Sequence, residues 1–252
     1  MCAGAQTEST RPRTFAVVPP AERLHSVNLL LEALPGVDRR RLLSQCEIVD
    51  VAFAEVLYAP PGELDHAYFP IDSFISLIMP IDADCSLEVG LVGNEGMFGI
   101  PLALGVNASP MRAVVQGAGS ALRIDTAAFR RELARTPALR RCIERYVSVH
   151  VSQLAQTAGC TRFHLVEARL ARWLLMTQDR AHARSFHATQ EFLALMLGVR
   201  RVGVTKAASA LQQRDLIRYS RGNVTVLDRR GLKAASCGCY DADRSSYDRI
   251  LG

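Results

Sequence analysis

The sequence has no long apolar run and no segment typical of exported or membrane proteins. Its most apolar stretches, Phe74–Ile81 and Leu193–Val199, are far shorter than the roughly 20 residues that a helix needs to cross a bilayer. Residues 1–15 also lack the apolar core of a secretory signal. We therefore expect a cytoplasmic protein with no membrane partner.

The short motifs of common enzyme chemistry are absent as well. The sequence has no P-loop, no HExxH, no Rossmann glycine pattern and no nucleophile with a neighbouring base. We predict no catalytic residue and no enzyme activity. What the chain does have is 49% hydrophobic and 22% charged residues over 252 positions, which is the composition of a folded protein and excludes disorder over most of its length.

Cysteine occurs in a pattern that excludes a disulfide framework. The seven cysteines are odd in number and scattered, at positions 2, 46, 85, 142, 160, 237 and 239. Only Cys237 and Cys239 lie close together, and a metal ion usually needs four ligands. With no two further ligands nearby in the sequence, we predict no metal site. Reduced thiols are favoured over a metal-binding pair.

Charge is divided unevenly along the chain. From Leu165 onward there are 15 basic and 8 acidic residues, whereas Cys46–Asp125 has 2 basic and 11 acidic residues. Concentrated basic charge is typical of a nucleic-acid binder, although many basic faces are merely solvated. The C-terminal third is therefore where a DNA-binding motif is to be sought.

Patterning divides the chain into five segments. We predict a mobile tail at residues 1–24, a β domain at 25–127, a connecting helix at 128–163, a DNA-binding domain at 164–235 and a C-terminal tail at 236–252. After helical patterns at Leu24–Leu34 and Val37–Leu43, seven short strands follow at about ten-residue spacing, which indicates a β sandwich or barrel. They are predicted at Glu47–Ala52, Glu55–Tyr58, Ala67–Phe69, Phe74–Met79, Ser86–Val92, Ala113–Val115 and Ala121–Ile124.

The helical period returns after Asp125. We expect Thr126 to cap a short helix, and Pro137 suits the first turn of a long one. One stripe of this long helix is largely apolar and predicts a coiled-coil-like homodimer; the alternative is packing against its own β domain. Its residues are Leu139, Ile143, Tyr146, Val149, His150, Gln153 and Thr157. We interpret His150 as a packed histidine and not a ligand. Trp173, on the next helix, is expected in the core.

Residues Gln190–Gln213 have the pattern of a helix-turn-helix. Thr189 can cap the first helix, Gly198 stands at the turn, and the second helix begins near Arg200. The stretch Leu216–Leu227 then reads as a hairpin, or wing. The alternative is an ordinary helical hairpin with a solvated basic face. The predicted DNA-binding residues are Thr189, Gln190, Arg200, Arg201, Gly203, Lys206, Arg218 and Arg221.

In this order of segments the chain resembles the CRP/FNR superfamily of bacterial transcription regulators. The resemblance rests on Pro61-Gly62-Glu63, on the stretch from Gly93 to Gly99 and on Thr189–Ile217. It implies an α+β fold with an N-terminal jelly roll, a long dimerisation helix and a C-terminal winged helix-turn-helix. It also implies a homodimer on a near-palindromic DNA site with RNA polymerase as partner. The family places Ser-Arg-Glu where Arg200, Arg201 and Val202 stand, so a different target sequence is expected.

The resemblance also raises the question of a ligand for the β domain. Family members that bind cyclic nucleotides carry Gly-Glu-Leu and, further on, Arg-Ser/Thr-Ala; this chain has Glu95-Gly96-Met97 and, later, Arg112. These four residues are the ligand-binding candidates. The inverted order and the acidic β domain favour a different ligand, or none, over cyclic AMP. Only Cys2 lies in the N-terminal tail, which disfavours an iron–sulfur cluster, and nothing indicates haem. We therefore assign no cofactor, and a cyclic nucleotide stays open as an alternative.

Two functions fit these observations. The first is a dimeric DNA-binding transcription regulator. The second is a cyclic-nucleotide-responsive module whose basic domain contacts a protein partner. Charge reversal at Arg200 and Arg201 discriminates between them.

Overall fold

The computed structural model describes residues 28–82 and 85–251. The predicted tail at residues 1–24, with Cys2, lies outside these residues. Within them the predicted fold class is confirmed, because a β domain comes first and a helical region with a helix-turn-helix comes last. No helix in the described residues is both long and apolar enough to span a bilayer.

Two short helices, α1 (Leu29–Glu32) and α2 (Gly36–Leu43), open the described chain. The buried side chain of Asn28 fixes the start of α1. Its Oδ1 accepts a hydrogen bond from the Leu31 amide at 3.3 Å, and its Nδ2 donates to the carbonyls of Pro70 at 3.0 Å and Gly96 at 2.8 Å. This single cap therefore joins α1 to the β domain.

Seven strands and one short helix form the β domain. The strands pair antiparallel in two sheets, ordered β1-β7-β3 and β2-β6-β4-β5. Every strand overlaps its predicted position, since β-branched and aromatic stretches between turn residues mark strands locally. The elements are β1 (Glu47–Val51), β2 (Val56–Tyr58), β3 (His66–Pro70), β4 (Phe74–Pro80), β5 (Ser86–Val92), α3 (Ile100–Ala103), β6 (Arg112–Gly117) and β7 (Gly119–Asp125).

Strand β4 is buried on both faces. Ile75 and Leu77 belong to the core between the two sheets, whereas Ile78 belongs to the core of the C-terminal domain. Because successive side chains of a strand point to opposite faces, the second face of this sheet is the surface on which the C-terminal domain rests.

Helix α4 (Thr126–Arg135) begins differently from the prediction. The expected cap at Thr126 is wrong: Asp125 Oδ1 accepts hydrogen bonds from the amides of Ala127 at 2.8 Å and Ala128 at 3.1 Å. Thr126 instead donates its hydroxyl to the Leu64 carbonyl at 2.6 Å. Aspartate and not threonine caps this helix because Asp125 lies one residue earlier, at the true cap position.

The long helix and the C-terminal domain follow. Helix α5 (Pro137–Phe163) starts at Pro137 as predicted, and α6 (Val166–Ala181) follows it after a two-residue break. Strand β8 was not predicted; at three residues it is too short to show a period, and it joins the sheet β8-β10-β9. The remaining elements are β8 (Ser185–His187), α7 (Gln190–Leu197), α8 (Arg201–Gln213), β9 (Ile217–Ser220), β10 (Asn223–Val226), α9 (Arg229–Ala235) and α10 (Cys239–Ile250).

The predicted C-terminal tail at 236–252 is wrong, because α10 is a folded helix that packs on α5. Tyr240, Asp243 and Ser246 are buried, and Asp243 Oδ2 accepts from Arg172 Nη2 at 2.6 Å. The buried stripe of α10 is mostly polar, so the sequence carried no hydrophobic period to reveal it.

The prediction of no metal site rested on the lack of two further ligands near Cys237 and Cys239 in the sequence. The tertiary structure places Cys160 and His164, at the end of α5, beside this pair. The two ligands that the neighbouring sequence lacks come from a segment about 75 residues earlier.

Candidate nucleic-acid interface

Helices α7 and α8 meet at a tight turn. Gly198 ends α7 with a left-handed φ of +60°, a conformation that suits glycine. A Cβ at this position would also lie 2.9 Å from Leu87 Cδ1 of the β domain. At the other end, Thr189 Oγ1 accepts from the Phe192 amide at 3.1 Å. Thr189 therefore caps α7, and its side chain is engaged within the fold.

The second helix presents one polar, exposed face. Val204, Ala207, Ala208 and Leu211 are buried against the C-terminal core. Arg200, Arg201 and Lys206 are exposed on the opposite side, and Gly203 is half-buried. Arg200 is the N-cap and Arg201 the first residue of α8, so both guanidinium groups lie at the end of the helix that reaches base edges in helix-turn-helix proteins.

Arg201 is held by two partners from the preceding helix. Its Nη1 lies 2.7 Å from Glu191 Oε1, and its Nε donates to Gln190 Oε1 at 3.4 Å. Glu191 and Arg201 are about two-thirds exposed, and an ion pair this exposed contributes little. A competing anion can therefore replace Glu191 as the partner of Arg201 at small cost.

Three further residues share the exposed face of α8 and were not among the predicted DNA-binding residues. Val202, Thr205 and Ser209 are exposed. Thr205 and Ser209 follow Arg201 at spacings of four residues, and Thr205 donates its hydroxyl to Gln190 Oε1 at 2.9 Å. The i, i+4, i+8 spacing from Arg201 was the signal that could have identified Thr205 and Ser209.

The wing is a hairpin between β9 and β10. Its two central residues, Arg221 and Gly222, have φ values of +50° and +77°, which define the primed type of turn that suits a two-residue hairpin loop. Arg218 and Arg221 are both exposed. Strand β8 pairs with the other edge of β10, so β10 is the central strand of a three-stranded sheet and β9 is an edge strand.

Comparison with known proteins agrees with this architecture. Residues 168–235 match the family of Crp-like helix-turn-helix domains, and no curated protein matches the chain. The chain has the CRP/FNR fold. A regulator assigned to the CRP/FNR family from Eubacterium rectale matches with a TM-score of 0.66 at 13% identity, over 82% of this chain and 96% of that one.

Two further structures share the fold of this chain. The c-di-GMP-responsive global regulator of Xanthomonas campestris matches with a TM-score of 0.63 at 17% identity, over 76% of this chain and 99% of that one. A CRP/FNR-family transcriptional regulator from Thermus thermophilus matches with a TM-score of 0.62 at 23% identity, over 75% and 98% of the two chains.

The four candidate ligand residues of this CRP/FNR fold are not brought together. Glu95 Oε1 accepts from Arg180 Nη2 of α6 at 2.6 Å, and Met97 is buried in the core of the β domain. Gly96 lies against the Tyr146 ring. Arg112 is exposed at the start of β6, opposite Ile78. Glu95 is thus part of the boundary between domains, which sequence alone did not suggest.

The predicted dimer stripe of α5 does not face a partner. Leu139, Ile143, Tyr146, Val149, His150 and Gln153 are buried within one chain, and Thr157 is half-buried. Their assignment to a dimer interface is wrong, and the alternative of intramolecular packing holds. Burial lowers the pKa of His150 to about 4, so this histidine is neutral and packed near Tyr146.

A second stripe, along α5 and into the break that follows it, is open. Val147 and Leu154 are half-buried, while Val151, Ala158 and Leu165 are exposed. The exposed fractions of Val151 and Leu165 reach 58% and 81%. These residues follow one another at intervals of four, three, four and seven, which is the heptad spacing of a coiled-coil seam. We call them the outer stripe.

Proposed function

We propose that this protein is a sequence-specific DNA-binding transcription regulator that acts on a promoter as a homodimer. The observation that carries this proposal is the arrangement of α8, which has one face buried in the C-terminal core. The other face presents Arg200 and Arg201 to solvent at the start of the helix, and Lys206 further along it. An arginine in this place can donate two hydrogen bonds to guanine.

The wing supports the same function. Arg218 and Arg221 are exposed on the hairpin next to α8, where they can contact phosphates on either side of the groove that α8 enters. Thr189 and Gln190 stand at the N-terminus of α7, whose free amides also suit a phosphate. Contacts of this kind fix the register of the protein on the duplex, and the contacts of α8 select the sequence.

A homodimer would use the outer stripe. Pairing two copies of α5 through Val147, Val151, Leu154 and Ala158 buries apolar surface that a single chain leaves open. A two-fold axis along such a helix pair implies a near-palindromic DNA site, since the symmetry of the site mirrors that of the protein. RNA polymerase is the partner that regulation of a promoter requires.

The β domain is proposed not to bind cyclic AMP in the manner of the family. Glu95, the candidate for a ribose hydroxyl, is already bonded to Arg180, and Arg112 is exposed on a different part of the domain. The acidic excess of this domain opposes an anionic ligand further. The DNA-binding form of the protein is therefore expected without added cyclic nucleotide.

Fluorescence anisotropy of the full chain tests the function. The probes are duplexes from the region upstream of its own gene and a scrambled duplex of equal length, over a series of salt concentrations. We expect specific binding about 10³-fold or more tighter than binding to the scrambled duplex. Arg201→Ala should remove roughly tenfold or more of that preference, whereas Arg135→Ala, exposed at the end of α4, should leave it unchanged.

Equal and weak binding of both duplexes, with and without cyclic nucleotide, would contradict the proposal. In that case the exposed arginines of α8 would contact a protein partner instead. This is the second function that the sequence allows, a cyclic-nucleotide-responsive module.

A further inference from the structure

Four metal-binding side chains converge where the long helix meets the C-terminal helix. Cys160 and His164 lie at the end of α5, and Cys237 and Cys239 lie at the start of α10. Their donor atoms are all within 4.8 Å of one another. The Sγ atoms of Cys160 and Cys237 are 3.5 Å apart, and the Sγ of Cys239 is 3.4 Å from Nδ1 of His164.

These distances are those of a tetrahedral site around one ion. With metal–sulfur bonds of about 2.3 Å and a metal–nitrogen bond of about 2.0–2.1 Å, tetrahedral zinc places two sulfurs about 3.8 Å apart and a sulfur and nitrogen about 3.6 Å apart. Donor atoms this close together leave space for one ion and not for a multi-iron cluster. Three sulfurs and one imidazole nitrogen, in tetrahedral geometry, favour zinc among the common divalent metals.

We propose that Cys160, His164, Cys237 and Cys239 form a zinc site that ties helix α10 to the end of helix α5. The three cysteines are buried, and only His164 is exposed, so all four positions of a closed, structural site come from the protein. No position is left for water or substrate, and the site is therefore structural and not catalytic.

The surroundings fit such a site in charge and hydrogen bonding. Three thiolates, a neutral imidazole and Zn²⁺ carry a net charge of minus one. The buried guanidinium groups of Arg169 and Arg172 lie close enough to interact with Cys160 and offset that charge. Gln156, one turn before Cys160, donates its amide to Cys239 Sγ at 2.8 Å, which is the outer-shell support that metal ligands usually receive.

The position of the site gives it a role in domain geometry. His164 lies in the two-residue break between α5 and α6, the point where the C-terminal domain leaves the long helix. Cys237 and Cys239 end that domain and begin α10. A metal bond across this junction holds both ends of the C-terminal domain to α5, beside the ion pair of Arg172 with Asp243 at 2.6 Å.

Metal content of the full chain is the direct test. The chain is purified without an affinity tag and under reducing conditions. Elemental mass spectrometry is then expected to find about one zinc ion per chain. The double variant Cys237→Ser/Cys239→Ser should lose that zinc. Cys142→Ser is the matched control, since Cys142 lies on the same helix and donates to the Leu30 carbonyl at 3.3 Å, a bond that serine also makes.

Cobalt substitution tests the ligand set without disturbing the core. Co²⁺ in place of zinc should give the visible absorption of a tetrahedral thiolate site. His164→Ala changes an exposed side chain, so the protein should keep its circular dichroism while its cobalt spectrum shifts and its zinc affinity falls about 10-fold or more.

Three results would overturn the proposal. One is no bound zinc in the wild-type chain even after reconstitution with zinc and reductant. Another is zinc content that is the same in the double variant as in the wild type. The third is a Cys160–Cys237 disulfide in the native protein with no metal. Because none of these measurements uses DNA, failure of the zinc site leaves the proposed DNA-binding function untouched.

Discussion

The indole of Trp173 donates a 2.8 Å hydrogen bond from Nε1 to Oε1 of Glu88, and this bond joins α6 of the C-terminal domain to β5 of the β domain. The other carboxylate oxygen of Glu88 accepts from the Ser76 hydroxyl at 2.6 Å. Burial nonetheless raises the pKa of Glu88 to about 7, because the loss of hydration outweighs two hydrogen bonds that favour the charged form.

The free energy of unfolding should therefore depend on pH through Glu88. The folded protein keeps a proton on this carboxyl up to about pH 7. An unfolded chain releases it at about pH 4.3, the ordinary pKa of a glutamate. The folded state binds more protons between these values, so stability falls as pH rises through this window, by roughly 3–4 kcal/mol at most. Urea unfolding at several pH values measures this loss.

Glu88→Gln should remove most of that dependence and stabilise the protein at the upper end of the window. Its amide can still bond Ser76 and accept from Trp173. Glu63→Gln, exposed in the β domain, serves as the control and should leave the slope as in the wild type. If the free energy of unfolding fell with pH at the same slope in Glu88→Gln and in the wild type, Glu88 would not be the group responsible.

The ion pair between Glu95 and Arg180 is expected to stabilise the contact between domains. Arg180 is 9% and Glu95 20% exposed at the side chain, with an Nη2–Oε1 distance of 2.6 Å. Arg180→Ala leaves a largely buried carboxylate without its partner, which costs about 3–5 kcal/mol. Arg214→Ala breaks the exposed pair of Arg214 with Glu167 and should cost under about 1 kcal/mol. If chemical denaturation showed the same loss in free energy of unfolding for Arg180→Ala and Arg214→Ala, Glu95 would be well solvated.

Substitution on the outer stripe should separate the proposed dimer. Val151→Glu puts a charge on a side chain that is 58% exposed in one chain, so the fold of the monomer should survive while the helix pair loses an apolar seam position. Light scattering is expected to show a dimer for the wild type and a monomer for the variant. Val37→Glu, 68% exposed on α2, is the control. A wild-type monomer at micromolar concentration would exclude the dimer.

The wing should contribute affinity without sequence preference. Arg218→Ala is expected to weaken binding to specific and scrambled duplexes by similar factors and to lower the slope of log affinity against log salt by about 1. Arg201→Ala should instead act on the specific duplex. Anisotropy titrations over a salt series distinguish the two variants. If Arg218→Ala weakened binding to the specific duplex alone, the wing and not only α8 would contact bases.

Local patterns in the sequence were enough to predict the strands of the β domain, the helix-turn-helix and the wing, although not the three-residue strand β8. Alternation with turn residues marks each strand of the β domain, and a small residue, a glycine and a helix cap mark the turn before α8. The positive φ values at Arg221 and Gly222 agree with the hairpin that the sequence suggested. These features depend on neighbours within a few residues, and so they can be inferred from the order of residues alone.

The tertiary structure decided what each surface meets. Periodicity showed that one stripe of α5 is buried, but only the packing of the β domain and α10 showed that Tyr146 and Val149 face their own chain. Likewise, no residue near Cys237 in the sequence indicates that Cys160 is its neighbour. Cys160 lies 77 residues earlier, yet the two Sγ atoms are 3.5 Å apart. A repeat along one helix fixes which side chains share a face, whereas the partner of that face depends on chain segments distant in sequence.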